Sequence, residues 1–583
     1  MSELTTTYEW EDIPWRKLER KTSKLQKRIY QASRRGEIKK VRKLQKLLVK
    51  SRLAKLLAVR RVTQENKGKK TAGVDGVKSL SPKQRLELAE NLRLTDKAKP
   101  TRRVWIPKPG RDEKRPLGIP VMHERALQAL VKQAMEPEWE ARFEPNSFGF
   151  RPGRSCHDAI KAIWDNINQK PKWVLDADIA QCFDRINHET LLRKLNTSPK
   201  IRRQIRAWLR AGVMDGLKYF DTTEGTPQGG VISPLLANIA LHGLENRIKQ
   251  AFPRKRPRIN GKITSVSQAS LIRYADDFII MHEDLDVIHK CKTIIVDWLN
   301  DMGLELKETK THITHTLNGG KEYKTGFNFL GFKIIQCQVG KHQTWTQGRG
   351  FKTLITPSIE KIKTHAKKLA EKIQTLKGVS QKTLIMELKP IIRGWANYYR
   401  TGNSKETYKT LDNLLYQKLK RWGERRHPQK NKTWCTSRYW GINRGEGWTF
   451  ADKKSGISLP KYAQTKVISP MTKDQYVKVQ SDRSPYDGDW AYWATRLGKH
   501  PELTKRVTKL LKQQQGKCQH CGLYFTPNSS MEVHHKDRNH KNDNWENLEL
   551  IHQVCHDKVH SEYSYDDGIQ ALIWENDIPI PAT

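Results

Sequence analysis

The sequence is poor in acidic residues and in cysteine, and it contains no long apolar run. Lys and Arg number 108 against 62 Asp and Glu, which gives a formal net charge of +46 over 583 residues. No stretch approaches the roughly 18 apolar residues that a membrane helix needs. We therefore expect no association with a membrane, and the excess of positive charge favours a polyanionic partner, of which nucleic acid is the usual one.

The first fifteen residues, MSELTTTYEWEDIPW, lack the apolar segment of a signal peptide and the arginines of a transit peptide. We therefore expect a cytoplasmic protein that lies beside RNA and the chromosome. Five of the eight cysteines have no ligand-like spacing, whereas Cys518, Cys521 and Cys555 cluster near the end. In a cytoplasmic protein such a cluster indicates metal ligands rather than disulfides.

The chain is too long for one hydrophobic core, so several domains are expected. Residues 13–62 have apolar residues at helical spacing among many Lys and Arg, which predicts two basic helices. Residues 100–340 mix short strand-like runs with helical segments, as an α+β domain does, and residues 357–423 are strongly helical. Residues 424–500 are rich in Trp, Tyr, Gly and Lys with weak periodicity, which indicates a small irregular domain.

Two acidic motifs suggest a shared cation site. RYADDFIIM, at 273–281, places Asp276 and Asp277 side by side before an apolar run, where burial would strengthen their repulsion. WVLDADIAQCFD, at 173–184, contains a strand whose alternation puts Asp176 and Asp178 on one face. Divalent cations shared by such carboxylates would activate a 3′-hydroxyl and stabilise a leaving pyrophosphate, as in nucleic-acid polymerases. The YADD tetrapeptide alone is better explained as an exposed acidic turn, so the argument depends on the segments around it.

The segments around the YADD tetrapeptide occur in a definite order along the chain, and the series as a whole resembles that of a known family. They are IPKPGRDEKRPLGIP (106–120), NSFGFRPGRSCHDAI (146–160), GTPQGGVISPLLANIAL (225–241), GLELKETKT (303–311), FNFLGFKI (327–334) and LKPIIRGWANYYRTG (388–402). In this order and spacing, the series resembles the reverse transcriptase of bacterial group II intron-encoded proteins. The resemblance covers nearly the whole chain and is far more specific than any single motif.

The resemblance implies roles for the polymerase residues. Asp178, Asp276 and Asp277 would bind two Mg²⁺ ions, and Lys310 would act on the leaving pyrophosphate. Four residues would contact the incoming dNTP: Lys108 and Arg115 its triphosphate, Gln228 the nucleotide and template, and Phe183 the C2′ position of the sugar. A bulky Phe183 would exclude a 2′-hydroxyl and so select deoxynucleotides. The alternative is that Phe183 is an ordinary core residue.

The C-terminal cluster resembles an HNH endonuclease of the ββα-metal fold. Its segments are CQHCG (518–522) and VHHKDRNHKNDNWENLELIHQVCHDKVH (533–560). The resemblance implies a closed structural zinc site formed by Cys518, Cys521, Cys555 and His552. The identity of the fourth ligand, His552, is left open by the sequence, because many relatives have Cys at that position. It also implies a divalent cation at the scissile phosphate, held by His534 and His556, with His560 as a candidate further ligand. His535 would be the general base, and Asn547 would either brace the loop that carries this base or contact the metal. A zinc-binding module without nuclease activity is the alternative.

We therefore predict a multidomain α+β protein with a right-hand polymerase, a helical thumb, a DNA-binding region and an HNH nuclease. The predicted domains are a basic N-terminal extension (1–95), fingers and palm (96–345), a thumb or maturase domain (346–423), a DNA-binding domain (424–510) and the nuclease (511–583). The implied function is intron mobility by target-primed reverse transcription, with intron RNA as a lariat ribonucleoprotein, double-stranded target DNA and dNTPs as partners. Two alternatives stay open: a reverse transcriptase used for another task such as defence, and a splicing factor with a relict polymerase.

Overall fold

The structure is a computed structural model. It describes residues 9–107, 113–253, 258–259, 262–263, 268–340, 350–443, 447–469, 478–498, 503–526, 529–539 and 542–563. Among these residues, no helix has both the length and the apolar character needed to cross a bilayer.

The N-terminal extension is helical, but it contains three helices over residues 13–62 rather than the two that were predicted. The break falls at Ser51, whose extended backbone (ψ 122°) ends one helix and precedes the next. Apolar residues of all three helices, among them Leu18, Leu48 and Val59, are buried against the following domain. The helices of this region are α1 (Trp15–Arg34), α2 (Ile38–Lys50), α3 (Arg52–Arg60) and α4 (Pro82–Asn91).

A four-stranded sheet and two buried helices come next. The sheet has the order β2-β1-β4-β5, and its first two strands are an antiparallel pair, with Ile106 opposite Arg115. The elements are β1 (Thr101–Pro107), β2 (Lys114–Ile119), α5 (Met122–Glu140), α6 (Cys156–Ile167), β4 (Val213–Asp215) and β5 (Lys218–Phe220). Lys108 lies outside the described residues.

The central sheet has the order β11-β10-β3-β9-β8, and helices cover it. Val174, Leu175 and Ala177 of its middle strand are buried between these layers. Its strands are β3 (Trp173–Asp178), β8 (Ser270–Tyr274), β9 (Asp277–His282), β10 (His312–His315) and β11 (Lys324–Thr325). The neighbouring elements are α7 (Cys182–Arg185), α8 (His188–Leu195), α9 (Pro199–Leu209), α10 (Ser233–Leu241), α11 (Leu244–Ala251), α12 (Leu285–Asn300) and the short pair β6 (Arg258–Ile259) and β7 (Lys262–Ile263).

The thumb region has one core that crosses the predicted boundary at 423/424. Helix α15 runs through that boundary, and Tyr439, Phe450 and Tyr462 pack in the same hydrophobic cluster as the thumb helices. The elements are β12 (Phe327–Phe329), β13 (Phe332–Gln338), β14 (Phe351–Pro357), α13 (Ile359–Thr375), α14 (Gln381–Tyr399), α15 (Lys405–Arg426), α16 (Lys432–Tyr439), β15 (Trp440–Asn443), β16 (Gly447–Asp452) and β17 (Ile457–Ser458). The other domain boundaries stay predictions.

The C-terminal region begins with a segment that packs back onto the polymerase. Residues 478–498 include α17 (Trp490–Leu497), and Leu497 packs against the small hydrophobic core of the last domain. That domain contains α18 (Lys505–Gln513), the antiparallel pair β18 (Met531–His535) and β19 (Leu548–His552), and α19 (Gln553–Tyr563). Two paired strands followed by a helix are the arrangement predicted for a ββα-metal domain.

Candidate active sites and metal centre

The central sheet brings the two acidic motifs together. Asp178 is the last residue of β3 and lies directly opposite Asp277, the first residue of β9, in the antiparallel register. Asp276 lies in the tight turn between β8 and β9, beside Ala275, whose φ is +57°. Three carboxylates from segments far apart in the sequence therefore meet at one end of the sheet.

A buried arginine supports this turn, and sequence reasoning did not assign it. The guanidinium of Arg273 is 1% exposed and donates hydrogen bonds of 3.0 Å to the carbonyl of Ala275 and to Asn238 Oδ1. Asn238 in turn donates to the carbonyl of Gly149 (2.9 Å). A Cβ on Gly149 would collide with the backbone of Ala275, so glycine permits this close approach. The signal available in the sequence was a charged residue that directly follows the apolar Leu271 and Ile272 within a short strand.

Burial and the charges of neighbouring carboxylates disfavour the charged forms of Asp176, Asp276 and Asp277. Burial, followed by the charges of Asp276 and Asp178, raises the pKa of Asp277 to about 7. Burial and the neighbouring Asp277 and Asp178 also raise the pKa of Asp176 to about 7, and burial raises the pKa of Asp276. The ammonium of Lys310 forms an ion pair with Asp178, as expected of a residue near this site. A cluster of partly buried carboxylates, among which Asp176, Asp276 and Asp277 have raised pKa values, fits a hard divalent cation, which favours the ionised carboxylates.

Three of the four residues predicted to contact the nucleotide, Phe183, Gln228 and Arg115, lie near the same end of the sheet. Phe183 is half-buried on α7, and its ring meets that of Phe150 edge to face at 6.0 Å. Gln228 donates to both carboxylate oxygens of Asp184, at 3.0 and 2.9 Å. Arg115 is exposed on β2, close enough to Asp184 and Asp276 to lower their pKa values, although burial raises both overall. Sequence reasoning missed Asp184 as the partner of Gln228.

Four residues of the C-terminal domain form a compact metal centre. Ligand atoms of Cys518, Cys521, His552 and Cys555 all lie within 4.8 Å of one another. Cys521 Sγ is 3.3 Å from His552 Nδ1, and the backbone N–H of His552 donates to Cys518 Sγ (3.4 Å). Three thiol sulfurs and one imidazole nitrogen are the donor set of a closed structural zinc site. Within the described residues, this is the only group of Cys, His, Asp and Glu side chains that converges so closely.

The histidines predicted to hold the nuclease cation share one side of the ββα unit. The ring of His534 lies 5.7 Å from that of His556 and 5.4 Å from that of His560, and the last two are 4.3 Å apart. Carboxylates orient two of them, since Glu549 lies 3.1 Å from His534 Nδ1 and Glu532 lies 2.9 Å from His556 Nδ1. Such outer carboxylates typically fix the tautomer of a metal-binding histidine.

His535 is the last residue of β18, and Asn547 immediately precedes β19. Strand alternation turns His535 away from His534, and His535 Nε2 lies 3.4 Å from Asp543 Oδ1. The Asn547 side chain donates to Asp537 Oδ1 (2.7 Å) and to the carbonyl of Asn542 (2.8 Å), and it accepts from the Asp537 N–H (2.9 Å). Asn547 therefore braces the loop that follows His535.

Comparison with known proteins agrees with each of these regions. Four family models match: "N-terminal domain of reverse transcriptase" (10–92), "Reverse transcriptase (RNA-dependent DNA polymerase)" (106–334), "Group II intron, maturase-specific domain" (362–440) and "HNH endonuclease" (518–562). The chain therefore contains a reverse transcriptase domain and an HNH endonuclease domain.

Several named proteins are similar to this chain over part of its length. Group II intron-encoded protein LtrA of Lactococcus lactis subsp. cremoris is 31% identical over 326 residues, which is 46% of this chain and 53% of LtrA. Protein YkfC of Escherichia coli (strain K12) is 31% identical over 312 residues, 47% of this chain and 79% of YkfC. The chain thus spans about half the length of LtrA. It belongs to the family of group II intron-encoded proteins.

Proposed function

We propose that this protein is a multifunctional group II intron-encoded protein that acts as RNA-directed DNA polymerase, splicing maturase and DNA endonuclease. The observation that carries the proposal is the pairing of Asp178 with Asp277 across β3 and β9, with Asp276 in the adjoining turn. The same chain contains a maturase-specific domain and an HNH domain.

In the polymerase, the three aspartates would hold the Mg²⁺ ions. When bound, two such ions activate a 3′-hydroxyl and neutralise the departing pyrophosphate. Lys310, which is paired with Asp178, would neutralise or protonate pyrophosphate, and Arg115 of β2 would bind the triphosphate. Phe183 would exclude a 2′-hydroxyl, and Lys108 would bind the triphosphate together with Arg115.

In the nuclease, His535 would remove a proton from the attacking water, with Asp543 orienting its ring and Asn547 holding the loop. His534, His556 and His560 would hold the divalent cation against the scissile phosphate. The Cys518, Cys521, His552 and Cys555 set would bind zinc and supply folding energy to this small domain.

The partners follow from these activities. The basic N-terminal helices and the thumb would bind intron RNA, and the ribonucleoprotein would insert that RNA into one strand of a DNA target. The nuclease would cut the other strand, and the polymerase would extend the new 3′-hydroxyl with dNTPs. Such a cycle takes place in the cytoplasm, on RNA and the chromosome.

The test is a target plasmid labelled on each strand in turn and incubated with the ribonucleoprotein and dNTPs. We expect RNA insertion into one strand, a nick in the other, and DNA synthesis from that nick. Assisted splicing without any primer extension would instead identify a splicing factor with a relict polymerase. Primer extension without stimulation of splicing would identify a reverse transcriptase used for another task.

A further inference from the structure

A cavity of about 940 Å³ lies between the polymerase and the nuclease domain. One wall is formed by α1, α3 and α5, and the other by residues 485–490 and the zinc-binding part of the nuclease. Its volume is at the upper end of the range of small-molecule pockets, about 300–1,000 Å³. The cavity is therefore large enough to hold a ligand made of several linked chemical units.

Some residues that line the cavity adjoin residues of the two candidate catalytic sites in the sequence. Pro152 and Val231 line it on the polymerase side, two residues after Phe150 and three after Gln228. Cys521 and Cys555 line it on the nuclease side, and Cys555 immediately precedes His556. The cavity thus extends from segments adjoining the nucleotide site to segments adjoining the nuclease histidines.

The charge inside the cavity is mainly positive. Arg20, Lys24, Lys27, Arg61 and Lys517 line it. The acids that also line it have partners, since Glu19 and Glu65 form ion pairs with Arg60, and Glu136 accepts a hydrogen bond from Tyr486 (2.7 Å). A lining of this kind attracts a chain of phosphates.

Aromatic side chains stand among these cations. Trp490 and Tyr524 line the cavity, and the Lys517 ammonium lies 5.1 Å from the Tyr524 ring centroid. Aromatic rings beside a basic groove are the usual means of binding unpaired bases, because bases within a duplex already stack on one another. This combination favours a single strand over a duplex.

We propose that this cavity binds single-stranded DNA, namely the 3′-terminal part of the strand that the nuclease cuts, on its way to the polymerase site. The proposal rests on the proposed function. DNA is favoured over RNA because one wall of the cavity is the nuclease domain, where the new DNA end arises.

The test uses the full-length protein and a short DNA oligonucleotide with 5-iodouracil near its 3′ end. After irradiation, we expect crosslinks in the peptides that contain Trp490 or Tyr524. Arg20→Ala with Lys24→Ala should lower that crosslink yield on the order of tenfold. Lys21→Ala with Arg28→Ala is the matched control, because this double substitution also removes one Lys and one Arg from α1. Both residues are exposed, and neither lines the cavity. The control should keep the yield of the unaltered protein.

Crosslinks confined to other peptides, or equal losses in the two double variants, would overturn the proposal. An oligoribonucleotide of the same sequence that crosslinks at Trp490 or Tyr524 as well as the DNA does would also overturn it, because the cavity would then be an RNA site. Extension of an annealed primer on an RNA template by the unaltered protein tests the polymerase separately. Failure there would reject the proposed function while the crosslink still reports DNA binding by the cavity.

Discussion

Asp158 of α6 binds Arg496 of α17 through a buried ion pair in which both carboxylate oxygens lie 2.6 Å from Nη2. Asp158 also accepts the backbone N–H of Val479 (2.9 Å). Burial alone would raise the pKa of this carboxyl, but Arg496 and the backbone donors hold the pKa below its usual range. This pair anchors residues 478–498 to the polymerase, and the same segment packs against the nuclease core through Leu497.

Asp158→Asn should loosen that anchor, because it leaves the Arg496 charge buried without its counter-ion. Loss of one partner of a buried pair costs about 3–5 kcal/mol. We expect faster amide hydrogen exchange across residues 478–498. Asp165→Asn is the control, since Asp165 lies on the same helix but pairs with Lys161 at the surface, where such pairs contribute about 0–1 kcal/mol. Equal exchange rates in the two variants would contradict the anchoring role.

Phe183→Val should relax the choice of sugar. The smaller side chain leaves room for a 2′-hydroxyl, so ribonucleotide incorporation relative to deoxynucleotide incorporation should rise by roughly ten- to a hundredfold. Single-nucleotide extension with matched dNTP and rNTP measures the ratio. Phe148→Val is the control, because Phe148 is buried in the core and its loss should lower stability without changing the ratio. If Phe183→Val behaves like Phe148→Val, Phe183 is only a core residue.

The two metal sites of the nuclease domain should fail differently. His535→Ala should keep zinc and the fold but lose second-strand nicking by roughly 10²–10⁴-fold, since a general base contributes to rate. Cys518→Ser should lose zinc and unfold the domain, because zinc binding supplies folding energy. Zinc content and nicking of a labelled target are the measurements. Normal nicking by His535→Ala would show that another residue is the general base, and His534 is the next candidate.

The thumb should lose stability in mild acid through His365. This imidazole stacks on Trp395 (4.8 Å) and lies 2.5 Å from the Tyr462 hydroxyl. Burial, with a smaller effect of Lys368, lowers its pKa to about 4, against about 6.5 when unfolded. The neutral ring contributes its full stability above pH 6.5, and this contribution is lost as the pH falls towards 4. At pH 5 the loss in the free energy of unfolding is about 2 kcal/mol.

His365→Gln should therefore reduce the drop in thermal unfolding temperature between pH 7 and pH 5. The exposed His289→Gln variant on α12 serves as the control and should keep that drop. If both variants show the pH dependence of the unaltered protein, His365 does not titrate in this way.

Local patterns predicted much of this molecule. Strand alternation put Asp176 and Asp178 on one face, and the motif order implied that Asp178 would meet Asp276 and Asp277. The mixed α+β fold class with reverse transcriptase and HNH domains is confirmed, and the predicted zinc ligands converge. The site roles of these residues stay proposals.

Long-range contacts could not be predicted. The Asp158–Arg496 pair joins segments whose proximity depends on the whole tertiary structure. The support of the Asp276 turn by Arg273 depends on Asn238, whose position follows only from the packing of α10. The break at Ser51 was missed because apolar spacing continues across it and no glycine or proline marks the site.

DNA synthesis by Asp276→Ala with Asp277→Ala tests the central claim most directly. Without these carboxylates the polymerase site loses two of its three proposed cation ligands, while the thumb and the N-terminal helices are untouched. Primer extension on an RNA template should fall to background, and intron RNA binding and assisted splicing should stay near the level of the unaltered protein. Robust complementary DNA from the double variant would contradict the assignment of this site as the polymerase centre.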